Sequence, residues 1–179
     1  MDEIMQFRAR VQELLESNTR LLEELRATDR KRMVREFFAV AGQKIGERPH
    51  VPDEETVRFR ARLVIEEVIA EMVPAIFDES RSQPWRLKRL VEDAMWVVEN
   101  CPVKVNLPEL IDATIDTDYV VEGLRIAFGV DSTPVWQEVQ RANLSKLGGP
   151  RREDGKLLKP EGWQAPDIEG SLRKQGWMK

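Results

Sequence analysis

The chain has 179 residues, of which 41% are hydrophobic and 34% charged. This length and this hydrophobic share are enough for a globular domain with a sizeable core. Its net charge of −4 argues against a stable nucleic-acid binder, because neutralising phosphates requires clustered lysine and arginine. A single cysteine, Cys101, excludes an intrachain disulfide and fits a reducing compartment. There is no apolar run of membrane-spanning length and no signal-peptide pattern. We therefore expect a soluble cytoplasmic protein with no membrane partner.

Apolar side chains recur at helical spacing along most of the chain, and no strand pattern accompanies them. The sequence predicts an all-α bundle of four to six helices, over residues 2–28, 29–42, 54–79, 84 to about 100, 108–128 and 134–147. Ser17-Asn18-Thr19 is a candidate interruption of the first helix, and Pro74 is expected to kink or end the third. We expect the apolar stripe of the helix from Pro84 to be core, and Arg30-Lys31-Arg32 to be a solvated face.

Two of these helices carry acidic faces embedded in apolar residues. At about 100° per residue, Glu67 and Glu71 lie only ~40° apart on the first. The second helix groups four residues in one arc: Glu109, Asp112, Asp116 and Tyr119. Carboxylates that meet at a packed helix pair need a cation between them, and oxygen ligands suit Mg²⁺ or Mn²⁺. The alternative is that each face is simply solvated, as acidic helix faces usually are.

Other chemistries find little support in the sequence. One histidine and one cysteine do not suffice for a typical zinc site. The chain has neither a P-loop motif nor G-x-G-x-x-G. Nothing in the sequence places Cys101 beside His50 for nucleophilic catalysis. We expect His50, in a proline-containing loop, to be structural or neutral.

The acidic faces, their order and the C-terminal motifs resemble the MazG-like all-α nucleoside triphosphate pyrophosphohydrolases. This superfamily includes dimeric dUTPases, dCTP pyrophosphatases and phosphoribosyl-ATP pyrophosphatases, and its hallmark is E-E-x-x-E on one helix and E-x-x-D on a later one. The run R-x-x-L-V-x-E-E, which ends at Glu67, matches the approach to the first motif. Ala70 stands where the third glutamate is expected and Glu71 follows, so we expect Glu71 to substitute, or a local helix bulge to restore its direction. In the second motif, Glu109 and Asp112 fit E-x-x-D, whereas the subgroup pattern D-x-x-x-D-x-x-Y-V selects Asp112 and Asp116.

The resemblance also implies roles for individual residues. Two or three Mg²⁺ or Mn²⁺ ions would be held by Glu67, Glu71, Asp112 and Asp116. Glu66 or Glu109 would orient the attacking water or act as the general base. The segment 136–147 and the run D-G-K-L-L-K-P resemble a phage-type subgroup labelled Cof-like. Through it the substrate-binding candidates are Asn143, Lys146 and Lys159. Tyr119, on the second acidic face, is either a residue that packs beside the ribose or base or a core tyrosine. Candidates for base stacking are Phe37, Phe38 and Trp163.

Three segments follow from this resemblance: an N-terminal helix for oligomerisation or packing (1–32), a MazG-like catalytic helical domain (33–147) and an irregular tail that closes over the substrate (148–179).

The implied reaction converts a (d)NTP to (d)NMP and pyrophosphate, in a homodimer or homotetramer. A dGTP-directed bacteriophage enzyme in the host cytoplasm is one candidate. The alternatives are a phosphoribosyl-ATP or phosphoribosyl-pyrophosphate hydrolase, and a non-catalytic helical interaction module. In the module, the acidic faces would pair with Arg60, Arg62 or Lys104.

Overall fold

The computed structural model describes residues 2–77 and 84–178. Within these ranges the chain is helical, without a strand and with one isolated antiparallel bridge, between Arg151 and Leu157. The elements in order are α1 (Asp2–Thr28), α2 (Arg30–Val40), α3 (Glu54–Ile65), a π-helix (Glu66–Met72), α4 (Val73–Ile76), α5 (Pro84–Asn100), α6 (Leu107–Ala127), α7 (Ser132–Leu144) and α8 (Ile168–Lys174). The all-α prediction is confirmed, and no helix in the described ranges is both long and apolar enough to cross a membrane.

Side-chain caps explain several helix boundaries. The carboxylates of Asp29, Asp53 and Asp131 accept a hydrogen bond from a backbone N–H in the first turn of α2, α3 and α7, respectively. Gly129 has a φ of 69°, a left-handed conformation that favours glycine just after a helix such as α6. Helix α1 runs through Ser17-Asn18-Thr19 without interruption, because Thr19 Oγ1 donates to the carbonyl of Leu15 and is accommodated in the helix.

The helix around Pro74 changes its winding rather than ending there. Helix α3, the π-helix and α4 follow one another without a break, so Pro74 lies in the first turn of α4. Proline has no N–H to donate to a carbonyl four residues earlier, and the wider turn before it accommodates that loss. The predicted extension of this helix to residue 79 lies partly outside the described residues.

The C-terminal tail is partly ordered by a helix that the sequence analysis did not predict. Residues 168–174 form α8, whose N-cap Asp167 accepts a hydrogen bond from Gly170 N at 2.9 Å. Ser171 of α8 is buried, and its hydroxyl donates to the carbonyl of Asp167. The expectation of an irregular tail over 148–179 is therefore wrong for this stretch. A seven-residue helix is too short to show a periodic pattern.

The chain divides into two compact units, 1–45 with 118–179 and 46–117, which differ from the three predicted segments. In the first unit, α7 packs against α2 and α8. Its buried residues include Met33, Ala41, Ala142 and Leu157. Gln140 Nε2 donates to the carbonyl of Met33 at 2.8 Å, which ties α7 to α2 through a buried polar contact.

The second unit contains α3, the π-helix, α4, α5 and the beginning of α6. Helix α5 packs against α3 and the π-helix. Arg58 of α3 donates to the carbonyls of Val98 and Cys101 at the end of α5, which satisfies acceptors that a helix terminus leaves open. No described residue of this unit is buried, so its predicted core is not closed within one chain.

Candidate active site

The first acidic face lies on the π-helix. Glu66, Glu67 and Glu71 all belong to it, and the backbone N–H of Val73 donates to the carbonyl of Val68, five residues earlier. Such widened turns inside α-helices occur often at functional sites. The bulge that the sequence analysis considered next to Ala70 is therefore present in the structure.

The wider turn changes the direction in which Glu71 leaves the helix. A π-helix has about 4.4 residues per turn, or ~82° per residue, so the direction of Glu71 around the helix axis is roughly 30° short of a full turn from Glu67. In an ordinary α-helix, residue i+3 is ~60° short of a full turn from residue i, and residue i+4 is ~40° past it. Glu71 thus comes closer to the direction of the third glutamate in E-E-x-x-E than its i,i+4 spacing suggests. Both Glu67 and Glu71 are exposed, and Glu66 is half-buried.

The second acidic face lies on α6 and is exposed along its length. Glu109, Asp112, Asp116 and Tyr119 are all exposed, and 80% of the surface of Tyr119 is accessible, so it is not a core tyrosine in this chain. Asn106 Nδ2 donates to Glu109 Oε2 at 2.9 Å in the first turn. This contact orients the one acid of the face that lies next to the helix N-terminus, where a negative charge is favourable.

The two faces do not form a closed metal site within one chain. Across residues 2–77 and 84–178, no group of three or more acidic, histidine or cysteine side chains is placed to hold a metal ion. The described arrangement therefore does not gather the predicted ligands Glu67, Glu71, Asp112 and Asp116 around one ion. The donor chemistry, all carboxylate oxygen, suits Mg²⁺ or Mn²⁺, but the described arrangement does not gather it.

By contrast, the predicted phosphate-binding residues in the first unit do converge. Lys146 Nζ lies 5.5 Å and Lys159 Nζ 4.6 Å from the ring centroid of Trp163, so two ammonium groups share one indole. Lys146 Nζ also donates to Asn143 Oδ1 at 2.9 Å. Trp163 Nε1 donates to the carbonyl of Ala142 at 2.9 Å, which attaches the tail to α7. We call Asn143, Lys146, Lys159 and Trp163 the cationic platform.

The sequence analysis missed an ion-pair cluster in the same unit. Glu122 accepts hydrogen bonds from Arg30 at 3.1 Å and Arg125 at 2.7 Å, and Ser132 Oγ donates to it at 3.3 Å. The hydrogen bond from Arg30, and then that from Arg125, lowers the pKa of Glu122 to about 2. The guanidinium of Arg30 also lies 5.4 Å from the ring centroid of Trp136.

The prediction of a solvated face at 30–32 is therefore wrong for Arg30, although Lys31 and Arg32 are exposed. No short sequence motif links Arg30 to Glu122, because the pairing depends on the path of the chain. Beside this cluster lies a cavity of about 390 Å³ with mostly apolar walls, formed by α7, α8 and the residues around them. Its lining includes Trp136, Ile168 and Leu172.

The remaining candidates have ordinary surroundings. His50 Nδ1 donates to the carbonyl of Arg48 at 2.8 Å, a contact within its own exposed loop. Phe37 and Phe38 are half-buried on α2.

Comparison with known proteins places these features in a family. A family model for phosphoribosyl-ATP pyrophosphohydrolase matches residues 34–143, more than half of the chain. The chain belongs to this family. The phosphoribosyl-ATP pyrophosphohydrolase family lies within the MazG-like all-α superfamily, and membership supports a hydrolase that acts on pyrophosphate bonds. Residues 1–33 and 144–179 lie outside the match.

A solved structure shares the fold of the chain. The crystal structure of a candidate NTP pyrophosphohydrolase from Exiguobacterium sp. 255-15 is 23% identical to it, with a TM-score of 0.57. The similarity covers 83% of this chain and 96% of that protein. At this identity the likeness concerns the fold alone. No curated protein matches the chain.

Proposed function

We propose that the protein is a metal-dependent (d)NTP pyrophosphohydrolase that yields a (d)NMP and pyrophosphate. In this reaction a water molecule attacks the α-phosphorus. The bond between the α-phosphorus and the oxygen that bridges it to the β-phosphorus breaks, and pyrophosphate leaves with the electron pair of that bond. The observation that carries the proposal is the cationic platform, because three residues that the resemblance marked as phosphate-binding candidates lie around one tryptophan there. Family membership supplies the class of bond that is cleaved.

The platform has the chemistry of a polyphosphate site. Two ammonium groups, each within 5.5 Å of the centroid of one indole ring, provide several donors and two positive charges. The contact of Lys146 with Asn143 holds one of these groups in a defined position. A triphosphate is the substrate class that such a pair of cations suits best, since its negative charge is spread over several oxygens.

The metal-binding part of the proposal rests on Glu67, Glu71, Asp112 and Asp116. These four carboxylates belong to one unit and are exposed, so ions from solution can reach them. Bound Mg²⁺ or Mn²⁺ would neutralise phosphate charge and acidify a water molecule. Because the acids are not gathered within one chain, we propose that the two acidic faces come together when copies of the chain assemble.

Exposed apolar side chains support a homodimer or homotetramer. On α5, Trp85, Leu90 and Val97 are 59%, 53% and 53% exposed, although their stripe was predicted to be core. On α6, Leu110, Ile111 and Ile115 are 47%, 52% and 61% exposed. Burial of a large apolar side chain is worth about 1.5–3 kcal/mol, so leaving these helices uncovered is costly. A second copy that covers them would complete the predicted core.

The general base is proposed to be Glu66 or Glu109. Glu66 is half-buried next to the first pair of ligands, and Glu109 is oriented by Asn106 at the start of α6. Tyr119 is proposed to pack beside the ribose or base. A preference for dGTP and a bacteriophage setting are one candidate among the roles known in the superfamily, and a substrate panel tests the first of them.

The test is turnover of each dNTP and NTP by purified protein with Mg²⁺ or Mn²⁺, with mono- and diphosphate products resolved. Monophosphate and pyrophosphate in equal amounts are expected, and omission of the metal should abolish turnover. Diphosphate with phosphate would refute attack at the α-phosphorus. Phosphoribosyl-ATP and phosphoribosyl pyrophosphate belong in the same panel, because the family match makes the former the main rival substrate.

The non-catalytic module makes an opposite prediction, namely no turnover and no thermal stabilisation by Mg²⁺ or Mn²⁺. In the structure Arg62 forms an ion pair with Glu99 of α5 at 3.7 Å, and the guanidinium of Arg60 lies 5.1 Å from the ring centroid of Phe59. Turnover and metal-induced thermal stabilisation are therefore the two measurements that distinguish the enzyme from the module.

A further inference from the structure

Helix α1 carries a seam with the spacing of a coiled coil. Alternating steps of three and four residues separate the members of the seam, which are Ile4, Phe7, Val11, Leu14, Asn18 and Leu21. The apolar members are between 39% and 70% exposed, and Asn18 is exposed. A helix of 27 residues with this repeat presents a continuous apolar strip along one side.

The seam also has the composition of a two-stranded pairing. With Ile4 at position a of the heptad, Val11, Asn18 and Leu25 take the other a positions, and Phe7, Leu14 and Leu21 take the d positions. Branched Ile or Val at a, with Leu at d, favours two strands over three or four. We propose that α1 pairs with α1 of a second copy of this chain as a parallel, in-register, two-stranded coiled coil.

Asn18 determines the orientation of this pairing. In a parallel, in-register pair the a positions face each other, so the two Asn18 side chains can hydrogen-bond across the seam. In an antiparallel pair an a position faces a d position of the partner, and the amide would be buried against a leucine such as Leu14 or Leu21. A buried amide without a partner costs about 1–3 kcal/mol, which disfavours that arrangement.

The area available is close to what a stable interface needs. Large apolar residues exposed on this side of α1 are Ile4, Phe7, Val11, Leu14, Leu15, Leu21, Leu22 and Leu25. At roughly 100 Å² for each side chain, they offer on the order of 800 Å² per helix. A typical specific interface buries about 800 Å² per partner. Arg10 beside the seam forms an ion pair with Glu13 of its own helix at 2.7 Å, so its charge is balanced before pairing.

This pairing names a surface for the proposed assembly and does not depend on the enzymatic proposal. Helix α1 lies outside the family match at 34–143, and none of its residues belongs to the acidic faces or the cationic platform. Its failure can therefore be distinguished from failure of the proposed function. A chain that hydrolyses nucleotides but whose α1 helices do not pair would refute only the coiled coil.

Disulfide trapping in the full-length protein tests the orientation. The variants Ile4→Cys and Leu21→Cys are each made in a Cys101→Ser background and exposed to a mild oxidant. The control is Ala9→Cys, which places a cysteine on the opposite side of the helix. Parallel, in-register seam residues lie within the distance that a disulfide spans, so both seam variants should form covalent dimers and Ala9→Cys should not. If a mixture of the two seam variants cross-links while neither does so alone, the pairing is antiparallel and the proposal is wrong. No seam-specific cross-link would refute it altogether.

Sedimentation equilibrium gives a second measurement. Leu14→Asp with Leu21→Asp should halve the mass of the assembly, whereas Met5→Glu, an acidic change at an exposed apolar residue away from the seam, should leave it unchanged. Both aspartates replace side chains that are exposed in the single chain, so far-UV circular dichroism should remain helical. An unchanged mass in the double variant, together with an undiminished Ile4→Cys cross-link in the same background, would contradict the proposal. A bundle of four α1 helices in the unaltered protein would also overturn the two-stranded arrangement.

Discussion

The Nζ atom of Lys159 lies 4.6 Å from the ring centroid of Trp163, so a charged residue of the tail is held over an aromatic residue of the same segment. The hydrogen bond from Trp163 Nε1 to Ala142 then fixes this segment on α7, where Lys146 approaches the same ring. A tail without a periodic pattern thereby contributes to a defined cationic surface. The position of Lys159 depends on a side chain four residues away and on a helix much earlier in the chain.

Removal of either ammonium group from the platform should weaken nucleotide binding. We expect Lys146→Ala and Lys159→Ala each to raise KM about tenfold, because a hydrogen bond to a charged group contributes about 1.5–3 kcal/mol. The effect should decrease at high salt, since screening weakens exposed charges. Steady-state kinetics with the best nucleotide of the panel measures it. Lys31→Ala, a change of equal charge at an exposed residue of α2, is the matched control, and equal KM values in all variants would refute the platform.

The π-helix should tolerate the loss of one residue. Deletion of Ala70 turns E-E-V-I-A-E into E-E-V-I-E, so the widened turn can relax to an α-helix while the glutamates keep nearly the same direction. We expect the deletion variant to fold, with a thermal midpoint no lower than that of the unaltered protein, and to retain turnover within about tenfold, since both glutamates remain.

Deletion of Ala94 in α5 is the control for this experiment. That helix has no widened turn to absorb the change, so everything after it rotates by about 100°. The control should lose cooperative thermal unfolding. If both deletions are equally damaging, the π-helix does not compensate for the extra residue of the first acidic face.

The ligand assignment on α6 can be tested with a neutral amide. Asp116→Asn should reduce turnover by more than a hundredfold and remove the thermal stabilisation by Mn²⁺, because the amide keeps the shape of the side chain but not its charge. Asp118→Asn, two residues along the same exposed helix, should change neither quantity. Differential scanning fluorimetry with and without Mn²⁺ separates metal binding from catalysis. Full activity of Asp116→Asn would refute its role as a ligand.

The ion-pair cluster around Glu122 should make stability depend on acidic pH. Hydrogen bonds from Arg30 and Arg125 lower the pKa of Glu122 to about 2, below the ordinary value near 4.5. A lowered folded-state pKa stabilises the fold above the ordinary value, and that contribution is lost as the pH falls from about 4.5 to 2. The difference in urea midpoint between the unaltered protein and Glu122→Gln should therefore be largest at pH 6 and shrink towards pH 2.

Glu169→Gln provides a control on an exposed ion pair of α8, formed with Arg173. The pairing is local and solvent-exposed, so its contribution should be small at every pH. A constant difference between the unaltered protein and Glu122→Gln over the whole range would mean that the variant acts through packing and not through charge.

The sequence by itself determined the helical class and the positions of six helices. Periodic apolar residues and N-cap aspartates such as Asp53 act locally, so their effects can be predicted without the rest of the chain. The resemblance found in the acidic motifs was likewise confirmed at the level of family and fold. The metal ligands remain predictions, because no described cluster brings the two acidic faces together.

Only the tertiary structure decided which distant residues meet. The contacts of Arg30 with Glu122 and of Lys146 and Lys159 with Trp163 depend on the path of the chain, which no local pattern encodes. Helix α8 forms because Asp167 caps it and it packs on α7, although seven residues are too few for a periodic signal. Apolar side chains of α5 that were predicted to be core remain exposed in the single chain for a related physical reason. Apolar periodicity shows which side of a helix must be covered, but the covering surface is a tertiary or quaternary property.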